Sequence, residues 1–458
     1  MSSKNTHFSN FELDKIFKKA EKIFFIGIGG ISMSSLAEYC VYVGKSVFGY
    51  DRCRGEECKR LEKVAHIRYS STTDSVMGMD LVVFSNAIDE ECFELKTSRE
   101  LGIPTVSRAN FLAYIMADYR VRIGVSGMHG KSTVTSMLAH VFRHTGCDPT
   151  VICGAKMKEF DAPYRFGRHE YFIFEACEYM NSFLSFSPTD AVVTNIDFDH
   201  PDFFEDMGHV LRSFRQYILP AKRVYVNADN PPSGALSHPY IITFGIENNA
   251  NYMAKINTGG AKNAFTVIYN GKPIASITLK DGGRHNIYNA LCAFSVAHQN
   301  GIAPKAIAHA LSKLEGIARR QELIKKIQVA GNEDGILTPV FLDYAHHPTE
   351  IKASLSAFRD NGFKKILCVF QSHTYSRTYA LYGEFLSAFT DADQLIVAPI
   401  YSAREQNIYP ITSEGLANDL GALYIKDFTK ISEQIKASSA DCVVIMGAGD
   451  IEKVKNYI

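Results

Sequence analysis

The loop Gly127-Met128-His129-Gly130-Lys131-Ser132-Thr133 constrains this chain more than any other segment. Before it, Val121-Arg122-Ile123-Gly124-Val125 is short and partly β-branched, the pattern of a buried strand. After it, Ser132 to Thr145 carries Val134, Met137, Leu138, Val141 and Phe142 at helical spacing, and Gly146 is placed to stop the helix. Strand, glycine loop, Lys-Ser and helix together make a polyphosphate cradle. Backbone N–H groups and the helix N-terminus face the anion, Lys131 reaches the outer phosphates, and the Ser132 hydroxyl can ligate Mg²⁺. The loop is shorter than the usual G-x-x-x-x-G-K-[ST], because position 125 is Val. The plain alternative is an ordinary strand-to-helix turn; the flanking elements favour an ATPase-type loop.

Around this unit the apolar pattern switches repeatedly between strand and helix periods, which predicts α/β domains with mainly parallel sheets. A first block, residues 1–118, holds strands Ile23 to Ile26, Ser46 to Tyr50 and Leu81 to Phe84, and helices Ser34 to Val43 and Arg108 to Met116. A second, 119–316, adds strands Tyr171 to Phe174, Ala191 to Thr194 and Arg223 to Val226. Between Ile241 and Leu279, short segments with Gly-Gly and Asn-Gly turns predict antiparallel hairpins at a sheet edge. A third, 317–458, holds strands Val340 to Asp343, Lys365 to Phe370, Gln394 to Ala398 and Cys442 to Met446, with a surface loop at Gly331 to Gly335. The expected fold is three domains: a Rossmann-like first, a central phosphate-loop domain with a mixed sheet, and a Rossmann-like third.

Lysine plus arginine equals aspartate plus glutamate, 49 each, so no charge excess advertises nucleic acid or an anionic membrane. No signal-like segment opens the chain, no run of eighteen apolar residues follows, and ten cysteines include no C-x-x-C pair. A cytoplasmic protein with reduced thiols is expected; monomer and dimer stay open.

A second glycine cluster, Gly27-Ile28-Gly29-Gly30-Ile31-Ser32, follows the first strand and nearly fits G-x-G-x-x-G, with Ser32 in place of the third glycine. Asp51 ends the next strand. Nicotinamide binding, another nucleotide diphosphate such as a uridine diphosphate sugar, and a structural turn all remain readings of this loop, the second being favoured. Glu175 and Glu178 follow one strand of the second block; Asp197, Asp199 and His200 follow another, at the edge that carries the phosphate loop. Hard ligands there suit Mg²⁺, with Glu178 and His200 preferred and Asp197 read as a cap or surface carboxylate. Asn286 and Asn289 share a helix face suited to a purine edge, or Asn286 is a cap. Arg319-Arg320 near the block boundary can reach phosphates, or is a solvated pair.

The order GIGGISMSSLAE, SNAI, GMHGKST, TNIDFDH, GRHNIYN, ARR, DYAHHPTE, FQSHTYSRT and GAGD resembles the Mur ligases of peptidoglycan synthesis, from about Lys22 to Asp450. FQSHTYSRT and Ile400 to Glu405 resemble the alanine-adding members, and the absence of Lys between Pro201 and Ala221 suits them. The segment Glu175-Ala176-Cys177-Glu178-Tyr179-Met180 departs from the family's E-A-D-E-S-D. The resemblance implies ATP and Mg²⁺ as cofactors and UDP-N-acetylmuramate and L-alanine as substrates, joined through an acyl phosphate. It implies ATP binding by Gly127 to Thr133, His285, Asn286, Asn289, Arg319 and Asp343. Ser132, Glu178 and His200 would hold Mg²⁺, and Gly27, Gly29, Gly30, Asp51, Ser85 and Asn86 the uridine nucleotide. Lys131, His200, His347, His373 and Arg377 would be catalytic, Arg377 partnering the alanine carboxylate. An NAD-dependent oxidoreductase, a ligase adding a preformed peptide, a folylpolyglutamate-type ligase and a non-catalytic nucleotide-binding regulator are the competing expectations.

Overall fold

The computed structural model describes residues 8–72, 75–85, 88–257, 263–332, 335–403 and 405–458. The chain divides into two compact units: Met1–Ser126 with Phe142–Val192 and Arg215–Val224, and Gly127–Val141 with Val193–Phe214 and Tyr225–Ile458.

In the first unit, β1 (Lys22–Ile26), β2 (Ser46–Tyr50), β3 (His66–Arg68), β4 (Leu81–Phe84) and β5 (Thr105–Ser107) form a parallel sheet in the order β3-β2-β1-β4-β5. Ile23 to Ile26 and Leu81 to Phe84 are buried throughout, as central strands covered on both faces must be. The order reverses between β1 and β4, so a crevice opens beyond their carboxyl ends. Gly27 to Gly30 leave β1 there and Ser85 leaves β4. Gly30 is the N-cap of the helix Ile31–Tyr42, which starts three residues earlier than its apolar pattern indicated. The same unit carries β6 (Val121–Ser126), β7 (Thr150–Met157), β8 (Ala162–Arg165), β9 (Tyr171–Glu175) and β10 (Asp190–Val193), ordered β10-β6-β9-β7-β8. Strand β9 runs parallel to β6 and β7, and β8 antiparallel to β7.

The unit boundary falls within β11 (Arg223–Asn227). In the second unit β12 (Ile241–Gly245), β13 (Tyr252–Ile256), β14 (Ala264–Tyr269) and β15 (Lys272–Thr278) continue in the order β15-β14-β13-β12-β11. The β13-β14-β15 meander is antiparallel, as expected, but β12 and β13 pair in parallel. The connection between them is wrapped rather than tight: the Asp229 carboxylate gathers the N–H groups of Ile246, Glu247 and Asn248, so the chain re-enters in its original direction. The expected Gly259-Gly260 turn and Glu333-Asp334 of the surface loop lie outside the described residues.

The third sheet, β16 (Glu322–Ile327), β17 (Thr338–Asp343), β18 (Ile366–Phe370), β19 (Gln394–Val397), β20 (Leu423–Tyr424) and β21 (Cys442–Met446), has the order β16-β17-β21-β18-β19-β20. All its pairings are parallel except β16 with β17. Apolar clusters cover both faces, one around Val340, Val369 and Ile445, the other around Ile351, Phe370 and Val444. No helix among the described residues is long and apolar enough to cross a membrane.

Candidate active site

The phosphate loop is shaped by two glycines at positive φ, Gly127 at 130° and Gly130 at 81°. A Cβ at 127 would stand 2.1 Å from Thr194 Oγ1, and one at 130 would stand 2.5 Å from Asn289 Oδ1. Neither position admits a side chain. Thr194 and Asn195 pin the loop: Met128 N–H donates to the Asn195 carbonyl (3.2 Å), and His129 N–H donates to Asn195 Oδ1 (2.9 Å). In return Thr194 Oγ1 and Asn195 Nδ2 both donate to the His129 carbonyl, at 2.6 and 2.9 Å. The Lys131 ammonium lies over the loop, donating to the carbonyls of Gly127 (2.6 Å) and Met128 (3.1 Å).

The His129 imidazole reaches Asp197 (3.4 Å) and Glu350 (3.4 Å), one carboxylate on each ring nitrogen. Burial alone would lower its proton affinity, but the two carboxylates outweigh it and raise the pKa to about 9. Asp197 is half-buried, yet His129 and His347 hold its carboxyl down to about 2. Glu350 is likewise far below its usual range although largely withdrawn from water, with His346, His129 and Arg320 around it. His129 is therefore an imidazolium at neutral pH. Its neighbour His347, rings 4.6 Å apart, is different: burial and the His129 charge lower its pKa. Thr349 N–H donates to His347 Nδ1 (3.3 Å) and Nε2 faces the Phe198 carbonyl at 3.2 Å, which assigns the proton to Nε2.

Arg377 lies almost wholly buried in the first turn of the helix Tyr375–Ala380, after β18. It grips Asp199 with two donors, Nε at 2.7 Å and Nη2 at 3.3 Å, while Nη1 contacts the carbonyl and Nδ1 of His373, each at 3.2 Å. The cation expected to meet a substrate carboxylate thus already holds one of the protein's own. Burial beside Arg377 drops His373 to about 4, leaving it neutral. His200 adopts φ 54° with Nε2 3.9 Å from Asp199.

A cavity of about 330 Å³ opens beside the loop, within the range for small-molecule sites. His129, Gly130 and Thr133 line it, with His285, Asn286 and Asn289 from the helix Arg284–Gln299. His285 carries a buried Nδ1 with no hydrogen-bond partner among the described residues, an atom suited to a polar ligand. Asn286 Nδ2 donates to the Gly282 carbonyl just ahead of its helix, at 2.8 Å, and Gly283, not Asn286, is the N-cap. Asp343 borders the cavity, but its carboxylate accepts from Ala345 N–H, Ser354 Oγ and Gln321 N–H, so it mainly holds the turn after β17. Of the arginine pair, Arg320 lines the cavity and Arg319 does not. The Arg319 guanidinium donates to the carbonyls of Gly447 (3.0 Å) and Gly449 (3.3 Å).

Of the three expected Mg²⁺ ligands, buried Ser132 and half-buried His200 belong to the second unit. Glu178, 1% exposed, belongs to the first, just before Met180 and Asn181 at φ 51° and 54°. Glu175 is less enclosed and accepts the Gly154 N–H (2.9 Å).

At the first glycine loop, Gly27 has φ 79°, and its N–H and that of Ile28 donate to the Tyr50 carbonyl. Asp51 braces the loop by accepting Gly29 N–H (2.8 Å) and Cys53 N–H (3.1 Å). A Cβ on Gly29 would stand 2.6 Å from Cys58 Sγ. Asn86 lies outside the described residues, as does Arg404 of the Ile400 to Glu405 segment. Reading by motif missed Asn195 and Glu350, undervalued Asp197, and took Arg319 rather than Arg320 from the arginine pair. Their only signal was a place beside the motif residues, since each partner is distant in sequence.

Residues 22–120 match the Mur ligase family catalytic domain, 125–297 the Mur ligase middle domain, and 338–449 the Mur ligase glutamate ligase domain. The UDP-N-acetylmuramate–L-alanine ligase of Caldanaerobacter subterraneus is 38% identical over 455 residues, covering 95% of this chain and 97% of that protein. This chain belongs to the Mur ligase family. The enzyme of the same name from Acetivibrio thermocellus is 40% identical, with 95% of each chain covered. Among solved structures, the UDP-N-acetylmuramate–alanine ligase of Thermotoga maritima superposes with a TM-score of 0.80 at 25% identity, covering 95% of this chain and 98% of that one. Mur ligases are ATP-dependent, so this chain is an ATP-dependent ligase.

Proposed function

We propose that this Mur ligase joins L-alanine to the lactoyl carboxylate of UDP-N-acetylmuramate, in the cytoplasm, as a step of peptidoglycan precursor synthesis. What carries the reading is likeness along nearly the whole chain to relatives bearing that name, together with FQSHTYSRT after β18. The carboxylate attacks the γ-phosphate of ATP, giving an acyl phosphate and ADP. The alanine amine then adds to the acyl carbon, and the tetrahedral intermediate expels phosphate. Little covalent work falls to the protein, so positioning and charge carry the catalysis.

We assign residues 1–118 to the uridine nucleotide, 119–316 to ATP and 317–458 to a closing domain. Lys131 stabilises charge on the β- and γ-phosphates once it exchanges the loop carbonyls for them. His285 Nδ1, Asn286 and Asn289 recognise adenosine, with Arg320 beside them. Ser132, Glu178 and His200 would hold Mg²⁺: a hydroxyl, a carboxylate and an imidazole form a suitable donor set, and the ion supplies charge neutralisation. His373, neutral at pH 7, can accept a proton from the alanine ammonium, and Arg377 orients it. Glycines 127 and 130, whose side-chain space is already filled, support the cradle assignment.

Phosphate release from ATP with UDP-N-acetylmuramate and each of L-alanine, L-serine, glycine and a tripeptide tests this. Turnover with L-alanine is expected. Turnover with the tripeptide alone would favour a peptide-adding ligase, and none with any acceptor would overturn the proposal.

A further inference from the structure

The first unit contains a cation that this chemistry has not used. The helix Arg108–Ala117 begins directly after β5, N-capped by Ser107, which accepts Asn110 N–H. Arg108 therefore stands at the carboxyl edge of the five-stranded sheet, the edge from which the first glycine loop departs. Its Nη1 donates to Ser32 Oγ at 3.0 Å, in the first turn of the helix Ile31–Tyr42. That neutral hydroxyl is the guanidinium's only side-chain partner among the described residues, against five available donors. Burial lowers its proton affinity; Cys177 and Glu175 act on it through space, without an ion pair. A half-buried guanidinium bonded only to a neutral hydroxyl has donors to spare, and planar guanidinium forks are matched to phosphate and carboxylate.

The loop's own charge points the same way. Gly27 to Ser32 contains no cation, and the residue bracing it is the anion Asp51. Backbone N–H groups and a helix N-terminus offer only about half a positive charge. A diphosphate seated there beside Asp51 needs a formal cation, and Arg108 stands at that helix start. Ser32, at the place of the usual third glycine, aims it.

We propose that Arg108, steered by Ser32, binds the diphosphate of the nucleotide sugar in the first glycine loop. This rests on reading the first unit as the uridine-nucleotide site. Arg108 is a binding residue for that diphosphate, and Ser32 is a positioning residue acting through it.

Calorimetric titration with UDP-N-acetylmuramate, UDP-N-acetylglucosamine and uridine tests the assignment. The second probe keeps the diphosphate and lacks the lactoyl carboxylate; the third lacks both. Arg108→Gln should weaken both nucleotide sugars alike, roughly 10- to 100-fold, the scale of charge-assisted hydrogen bonds, and leave uridine and ATP unchanged. Arg108→Lys should recover part of the loss, and Ser32→Ala should cost a few-fold in the same direction. A loss confined to UDP-N-acetylmuramate would overturn the diphosphate assignment in favour of the carboxylate. Unaltered binding by Arg108→Gln would overturn the proposal alone, while a wild-type protein that binds none of the three probes would overturn the uridine-nucleotide reading with it. If Arg108→Gln does not fold, Ser32→Ala and Arg108→Lys decide: equal affinities in both overturn it.

Discussion

The two glycine loops of this chain, both proposed above as anion sites, are braced by opposite materials. The first, Gly27 to Gly30, is braced by the carboxylate of Asp51, contains no cation of its own, and is met at Ser32 by Arg108, 76 residues on. The second, Gly127 to Gly130, is braced by the neutral side chains of Thr194 and Asn195 and carries its own cation, Lys131. A neutral brace adds no charge of its own against an anion. A charged brace requires an offsetting cation from elsewhere, and it separates loop shape from anion affinity. The second loop should thus fail catalytically when its lysine is lost, and the first should tolerate changes to its brace.

Lys131→Ala tests the strongest side of that contrast. Turnover should fall roughly 10²–10³-fold, as when one charge-stabilising donor is removed, while UDP-N-acetylmuramate affinity measured by calorimetry stays the same. Near-normal turnover would break the comparison at its root. The carboxylates come next. Glu178→Gln should raise the Mg²⁺ concentration needed for half-maximal turnover by about tenfold or more, whereas Glu175→Gln, whose group serves Gly154 N–H, should shift it little. The reverse ranking would move the metal assignment to Glu175.

The His129 cluster gives a pH dependence. Its folded pKa is raised to about 9 from an ordinary ~6.5, so its stabilisation is complete below about pH 6.5 and is lost as pH rises through about 9. Unfolding temperatures of the wild type and His129→Asn should therefore differ most near pH 6 and converge by pH 9.5. A gap that widens with pH would mean that His129 is neutral in the fold. The smallest effect belongs to the first loop: Asp51→Asn removes an opposing charge but keeps only one of the two oxygens that accept Gly29 N–H and Cys53 N–H. Nucleotide-sugar affinity should change less than about fivefold, with roughly 1–2 kcal/mol lost from folding stability by denaturant titration.

Much of the fold is legible where a strand is buried on both faces. Ile23 to Ile26, Leu81 to Phe84 and Cys442 to Met446 are continuous apolar runs, and each forms a strand as read. The edge strand β16 is not legible, because Lys325 and Lys326 interrupt its alternation and only its pairing with β17 makes it a strand. Strand β7 hides behind Gly154 and Lys156 for the same reason. In the site, the loop residues announce themselves through local spacing. Their partners do not: Asp199 meets Arg377 across 178 residues and Thr349 meets Asp197 across 152, and no local pattern encodes such meetings. The arginine pair shows the limit sharply, since the backbone turn at Arg319, φ 60°, sends adjacent side chains to different places.

The contact between Gly130 and Asn289 sets a length. With Asn289 Oδ1 only 2.5 Å from where a Cβ would stand, the phosphate loop and the helix Arg284–Gln299 touch with nothing between them. That helix also presents His285 and Asn286 to the cavity. With the phosphates on the loop and the base on His285 and Asn286, as proposed above, the interval between the two grips is fixed by direct abutment, as on a calliper, and not by a flexible connection. Discrimination between nucleoside triphosphates and shorter nucleotides then becomes a matter of reach: a diphosphate gripped at its base cannot also fill the far end, whatever its charge.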